Sequence, residues 1–226
     1  MTSRQEKLIK IIVEEYINSA EPVASGFLVK KFDEDVSSAT IRNDMVALEK
    51  DGMIEQPHTS AGRIPTEKAY RHYLDNFYKE KSLSTSYKDK LDLINKSNNE
   101  IRNKLKEMAK YLAEISGQAV VVAFADNDIY YTGISNLFSQ PEFFQRELVM
   151  DMSRVIDHLD SVVSNLFNEV FETQVELGAG CPFGARCASI ITKVNLDDKE
   201  YLISLIGPMR MDYQKNISLI NYLKNL

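Results

Sequence analysis

The stretch from Val36 to Pro65 constrains this chain more than any other, because it spells a capped helix, a stop and a tight hairpin in one unbroken run. The hydroxyls of Ser37 and Ser38 can accept from the unpaired N–H groups of a first turn, so a helix is predicted to start there. Ile41, Met45 and Leu48 recur at spacings of four and three and form its inward stripe. The opposite face carries Ser38, Thr40, Arg42 and Asn43 near its N-terminal end, side chains suited to phosphates and to the edges of guanine and adenine. Asp51-Gly52 stops the helix, Met53-Ile54-Glu55-Gln56 alternates as a short strand, and Pro57 to Gly62 turns the chain back through Arg63-Ile64-Pro65. The segment therefore reads as a DNA recognition helix followed by a wing bearing His58, Thr59 and Arg63.

The same succession of helix, stop, strand and turn also occurs in proteins that touch no DNA, so its neighbours carry weight. Upstream, Leu8, Ile11, Ile12, Glu15 and Tyr16 place an inward stripe on a helix from Arg4 to Asn18. Ser25, Phe27, Leu28, Val29 and Phe32 supply a second short helix at helix-turn-helix spacing. Downstream, Thr66 caps a fourth helix whose inner face is Ala69, Tyr70, Tyr73, Leu74 and Phe77. Residues 1–78 thus form a winged helix-turn-helix domain, with Lys68 and Arg71 as phosphate candidates.

Charge runs against this reading at first sight. The formal net charge is −6, and acidic side chains outnumber basic ones even within residues 1–77. The acids Glu14, Glu15, Glu21, Asp33, Glu34 and Asp35, however, belong to the early helices and turns, whereas Arg42, His58, Arg63, Lys68 and Arg71 follow them. A local basic patch is expected, with few phosphate contacts.

Residues 79–116 shift to Lys, Asn, Ser and Glu but keep a register. Leu91, Asn98, Leu105 and Leu112 fall at position a of a heptad, and Tyr87, Ile94, Ile101, Met108 and Ile115 at position d. This predicts a connecting helix. It either forms a two-stranded coiled coil, with Asn98 fixing register, or packs along its own C-terminal domain. In residues 117–226, strands are expected over Gln118–Phe124, Ile129–Thr132, Thr173–Leu177, Ala188–Val194 and Tyr201–Ile206. A long helix from Pro141 to Asn168 and a closing helix from Asp212 to Leu223 complete an α+β domain.

The runs Ser37-Ser38-Ala39-Thr40-Ile41-Arg42-Asn43, Gln56 to Lys68 and Gly207-Pro208-Met209-Arg210-Met211-Asp212-Tyr213 resemble the heat-inducible transcription repressor HrcA family. The likeness returns at Gly133 to Phe143. It implies a GAF-like C-terminal domain and a bacterial cytoplasmic repressor. Such a repressor binds an inverted-repeat operator of double-stranded DNA as a homodimer ahead of chaperone genes, with modulation by the chaperonin. The chain departs from the family pattern twice. Family members carry a domain implicated in dimerisation inserted into the GAF-like part, and here only Asp126-Asn127-Asp128 separates the first two predicted strands. The Gly-rich run from Leu177 to Cys187 replaces a more acidic, cysteine-poor segment.

Other classes are disfavoured. No Walker loop, nucleophile elbow, Cys-His pair or paired carboxylates occur at useful spacing, so no enzyme, cofactor or metal is expected. No apolar run is long enough to span a bilayer, and no signal-peptide pattern is present. Cys181 and Cys187 are too few for a disulfide framework or a zinc signature. A thiol switch would need Arg186 to lower the pKa of Cys187. Arg210 and Asp212 are expected to pair locally where Gly207-Pro208 turns the chain into the last helix. The DNA-contacting set is Ser37, Ser38, Thr40, Arg42, Asn43, His58, Thr59, Arg63, Lys68 and Arg71. The alternatives are a ligand- or redox-sensing regulator of other genes and a winged-helix protein-interaction module.

Overall fold

The computed structural model describes residues 1–32, 36–59, 61–144 and 146–226. Asp33, Glu34 and Asp35 of the expected acidic face, Ser60 of the expected turn and Gln145 of the expected long helix lie outside them. The chain divides into two compact units, Met1–Tyr78 and Lys79–Leu226.

The first unit opens with α1 (Ser3–Ser19), started by a capping box in which Thr2 and Gln5 each bond the other's backbone N–H. Its buried residues are Leu8, Ile9, Ile12 and Val13. The inward face is therefore rotated from the predicted one, since Ile11, Glu15 and Tyr16 are only half-buried. The pairs Leu8-Ile9 and Ile12-Val13 stack one turn apart and bring four aliphatic side chains inward, whereas the predicted stripe would have turned Glu15 toward the core. Next come α2 (Ser25–Lys31) and α3 (Ser38–Lys50), which pack against each other and against α1. Ile41, Met45 and Leu48 of α3 are buried, as the four-and-three spacing predicts. Gly52, at φ +69°, releases the chain into β1 (Ile54–Glu55), which pairs antiparallel with β2 (Ile64–Pro65). Thr66 caps α4 (Glu67–Phe77), which sets Ala69, Tyr70 and Tyr73 into the core.

In the second unit the expected connecting helix is two helices, α5 (Thr85–Asn95) and α6 (Ile101–Ser116). Lys96 to Glu100 break the run, and Asn98 is exposed in that break. Leu91, Ile94, Leu105, Met108 and Leu112 are buried within the unit as α5 folds against α6. A coiled-coil seam running through Asn98 is thereby excluded. The physical reason is that Ser97-Asn98-Asn99 favours turn hydrogen bonds, and Ser97 Oγ indeed donates to the Ile94 carbonyl at 2.8 Å.

Five strands, β3 (Ala119–Ala125), β4 (Asp128–Thr132), β5 (Gln174–Leu177), β6 (Cys187–Leu196) and β7 (Lys199–Pro208), form one antiparallel sheet in the order β4-β3-β7-β6-β5. One face presents Ala119, Val121, Ala123, Ile191, Leu202 and Ile206 to α7 (Ile134–Phe138), α8 (Arg146–Asp157) and α9 (Leu159–Glu169). On the other face α6 lies over β3, and α10 (Tyr213–Lys224) over β6. The predicted single helix from Pro141 to Asn168 is divided into a 3-10 turn (Pro141–Phe144), α8 and α9, with His158 between the last two. Phe143 turns inward and Phe144 outward, because the segment starts in the tighter turn.

Candidate nucleic-acid interface

At the N-terminus of α3 the Ser37 hydroxyl accepts from the Thr40 N–H at 3.1 Å, and the two hydroxyl oxygens lie 2.9 Å apart. Ser37 and Thr40 thus organise the first turn. Ser38, Arg42 and Asn43 are exposed, and Thr40 is half-buried. The Arg42 guanidinium reaches back to the Ser25 hydroxyl on α2, Nε to Oγ, at a long 3.4 Å. Sequence reasoning missed Val46, which is 46% exposed, three residues beyond Asn43 and four beyond Arg42. Spacing was the signal, for an apolar residue on that face suits a thymine methyl group.

The inner side of α3 is held by charge as well as by apolar packing. Asp44 is buried and forms an ion pair with Arg4 of α1. His72 of α4 contacts Glu6 of α1 at 2.7 Å. The first contact ties α3 to α1, and the second ties α4 to α1.

The hairpin is anchored at its base and open at its tip. Its loop closes with the Ala61 N–H donating to the His58 carbonyl at 2.9 Å and Gln56 Nε2 donating to the Ala61 carbonyl at 3.0 Å. His58 and Thr59 are exposed there. Behind them, Val23 and Arg63 exchange backbone hydrogen bonds at 2.8 and 3.0 Å, forming an isolated one-residue bridge just before β2. Gly62 is required at this junction, because a Cβ on it would lie 2.4 Å from the Val23 carbonyl oxygen.

The predicted residues therefore fall into separate groups. Ser38, Arg42 and Asn43 share an exposed face, and His58 and Thr59 share the hairpin tip. Arg63 is not at the tip. Its side chain is only 17% exposed and its guanidinium binds Glu49 of α3, with Nη2 and Nε at 2.9 and 3.1 Å from one carboxylate oxygen. Lys68 donates to the Asp51 carbonyl at 2.8 Å. It thereby closes the C-terminal end of α3, about 18 Å along the axis from Ser38 at 1.5 Å per residue. Arg71 pairs with Glu67 one turn before it at 2.9 Å.

In the second unit, burial pushes both cysteine thiols up from their ordinary range, that of Cys187 most strongly. The expected lowering by Arg186 is overturned, because desolvation dominates around a buried sulfur. Arg210 does not pair with Asp212. Its Nε donates to Glu142 at 2.7 Å and its Nη2 to Gln140 at 2.7 Å, while Asp212 caps α10 by accepting from the Lys215 N–H at 3.0 Å. Both residues have structural work, though not with each other. Among the described residues no group of three or more His, Cys, Asp or Glu side chains could hold a metal ion. None of the described helices is long and apolar enough to cross a membrane.

Residues 37–217, from the cap of α3 into α10, match the family model described as HrcA protein C terminal domain. The chain belongs to the HrcA family. Curated HrcA relatives are named heat-inducible transcription repressors. The one from Bifidobacterium longum is 45% identical over 121 residues, covering 54% of this chain and 32% of the relative. That from Desulfitobacterium hafniense is 35% identical over 173 residues, covering 76% of this chain and 48% of the relative. This HrcA-family chain spans about a third to a half of the length of the curated relatives it matches. A crystal structure of a hypothetical protein at 2.2 Å resolution matches 100% of this chain and 97% of that one with a TM-score of 0.78. At 19% identity that likeness shows the fold alone. Against the longer HrcA pattern, β3 and β4 are joined directly through Asp126-Asn127.

Proposed function

We propose that this chain is a DNA-binding transcription repressor whose first unit is a winged helix. In this reading α3 is the recognition helix and the β1–β2 hairpin is the wing. The observation that carries it is the exposed row Ser38, Arg42 and Asn43 at the N-terminal end of α3, whose inner side is paired to α1 through Asp44 and Arg4. Base-reading side chains belong at that end of a recognition helix, which enters the major groove by its first turns. The second unit serves as the GAF-like partner domain.

Arg42 and Asn43 read base edges, while Ser37, Ser38 and Thr40 position the helix N-terminus on the backbone. His58 and Thr59 at the tip meet the backbone or minor groove. Lys68 and Arg71, already engaged at the protein surface, contribute at most exchangeable phosphate contacts. Family membership supports the rest: a homodimer on an inverted repeat ahead of chaperone genes in the bacterial cytoplasm, modulated by the chaperonin.

Selection of bound sequences from random duplex DNA tests the reading, and an inverted repeat with half-sites about one helical turn apart is the expected result. Arg42→Ala should then cost about 1–3 kcal/mol on the selected site and relax preference at one position. Failure to enrich any sequence would sink the proposal and favour a protein-interaction module. Adding purified chaperonin to the same gel-shift, and finding the bound fraction unchanged, would remove the chaperonin arm.

A further inference from the structure

We propose that Arg63 is a positioning residue rather than a DNA contact, and that its pair with Glu49 sets the angle between the recognition helix and the wing. The proposal rests on the DNA-binding reading above. Glu49 lies in the last turn of α3, and Arg63 immediately precedes β2. Two guanidinium nitrogens fork onto one carboxylate oxygen, so the pair fixes direction as well as distance. The arginine side chain is largely withdrawn from solvent, as an outward phosphate contact would not allow.

Neighbouring bonds act on the same joint. The Thr66 hydroxyl lies 2.7 Å from the Gly52 carbonyl and 3.0 Å from that of Met53, and Lys68 reaches the Asp51 carbonyl. On the opposite side the backbone of Arg63 is bonded to Val23, where Gly62 permits close approach. The hairpin base is thus tied both to the end of α3 and to the segment before α2. His58 and Thr59 at the tip can meet DNA only in the direction these ties set. Sequence alone marks Arg63 as a wing cation, since its partner lies fourteen residues upstream and meets it only after the hairpin returns.

The two roles predict opposite behaviour for Glu49. If Arg63 positions the wing, Glu49→Ala and Arg63→Ala weaken binding to the selected site alike, by roughly five- to thirty-fold. The exchanged pair, Glu49→Arg with Arg63→Glu, then recovers most of that loss. The slope of log affinity against log salt stays at the wild-type value in every variant. If Arg63 holds a phosphate, Glu49→Ala leaves binding equal or tighter and Arg63→Ala reduces the slope by about 0.9 per half-site. In that case the exchanged pair binds worst, and any of these three results overturns the proposal. Hydrogen exchange of the Val23 and Arg63 amides in full-length protein without DNA gives a second readout. It should accelerate in each single variant and return toward wild type in the exchanged one. Unchanged exchange would overturn the positioning role even where the wild type binds DNA. If the wild type binds no DNA but exchange behaves as stated, the joint stands and the DNA reading fails.

Discussion

Burial decides the behaviour of the two thiols more than their neighbours do. Cys181 and Cys187 are almost wholly enclosed, and desolvation raises both above the ordinary value of 9.0. A thiol reagent at pH 8 should therefore leave the folded protein unlabelled and modify both sulfurs once denaturant is added. Rapid labelling in the native state would contradict this. The sign of the pH effect follows from linkage. A folded pKa above the unfolded one leaves stability intact below about pH 9, and it is lost as pH rises further because only the unfolded thiol ionises. The urea midpoint should fall between pH 8 and pH 10 by more in wild type than in Cys187→Ala. At Gly62 the argument is steric. With a Cβ directed 2.4 Å from the Val23 carbonyl oxygen, Gly62→Ala must part the hairpin base from its anchor. A loss of about 1–3 kcal/mol is expected from overpacking of this kind, read by urea unfolding of the intact chain. A neutral substitution would show that the bridge yields freely.

At the scale of elements, α5 and α6 yield the clearest test. Leu105 is fully buried inside the second unit, so Leu105→Ala should cost about 2–5 kcal/mol in unfolding free energy. Asn98 is exposed between the helices, so Asn98→Ala should stay within about 0.5 kcal/mol. It should also leave the sedimentation coefficient unchanged, whereas a seam through Asn98 would respond with altered oligomeric state. Element starts were legible because their signals are local. Ser37 with Thr40, Thr66 with Ala69 and Asp212 with Lys215 are each three residues apart. Interruptions were not, because Leu91 and Ile94 before the break and Leu105 and Met108 after it each continue one helical period. A register carried across Lys96–Glu100 looks the same as one interrupted there. Strand pairing was equally hidden. The order β4-β3-β7-β6-β5 places β3 beside β7, some eighty residues apart by the positions of their paired residues, and no local pattern encodes so distant a partner. The candidate interface was legible on α3 and at the tip, where exposure follows from period. The withdrawal of Arg63 from solvent was hidden because it depends on a tertiary pair.

The whole molecule carries a formal net charge of −6, yet the proposed function needs it to approach a polyanion. Ion pairing sharpens that tension, because the cations of the first unit are largely engaged. Arg4 holds Asp44, Arg63 holds Glu49, and Arg71 holds Glu67. Lys68 holds the Asp51 carbonyl, and Lys31 lies over the Phe27 ring. Arg42, with its long contact to Ser25, and Lys50 are the exposed cations among the described residues of α3. Few cations per half-site are then left to neutralise phosphates. Counterion release predicts a log–log slope of affinity against salt well short of about −10. Specificity must come mainly from base contacts and helix placement, since the sequence-independent electrostatic term is small. Two measurements follow: the slope on the selected operator, and the affinity for random duplex at the same salt. The expected results are a shallow slope and weak random binding with a large specificity ratio. A slope near −10, with tight binding to random DNA, would mean that surface pairs such as Arg71–Glu67 open to reach phosphates. The local patch at α3 would then not be what holds this protein on DNA.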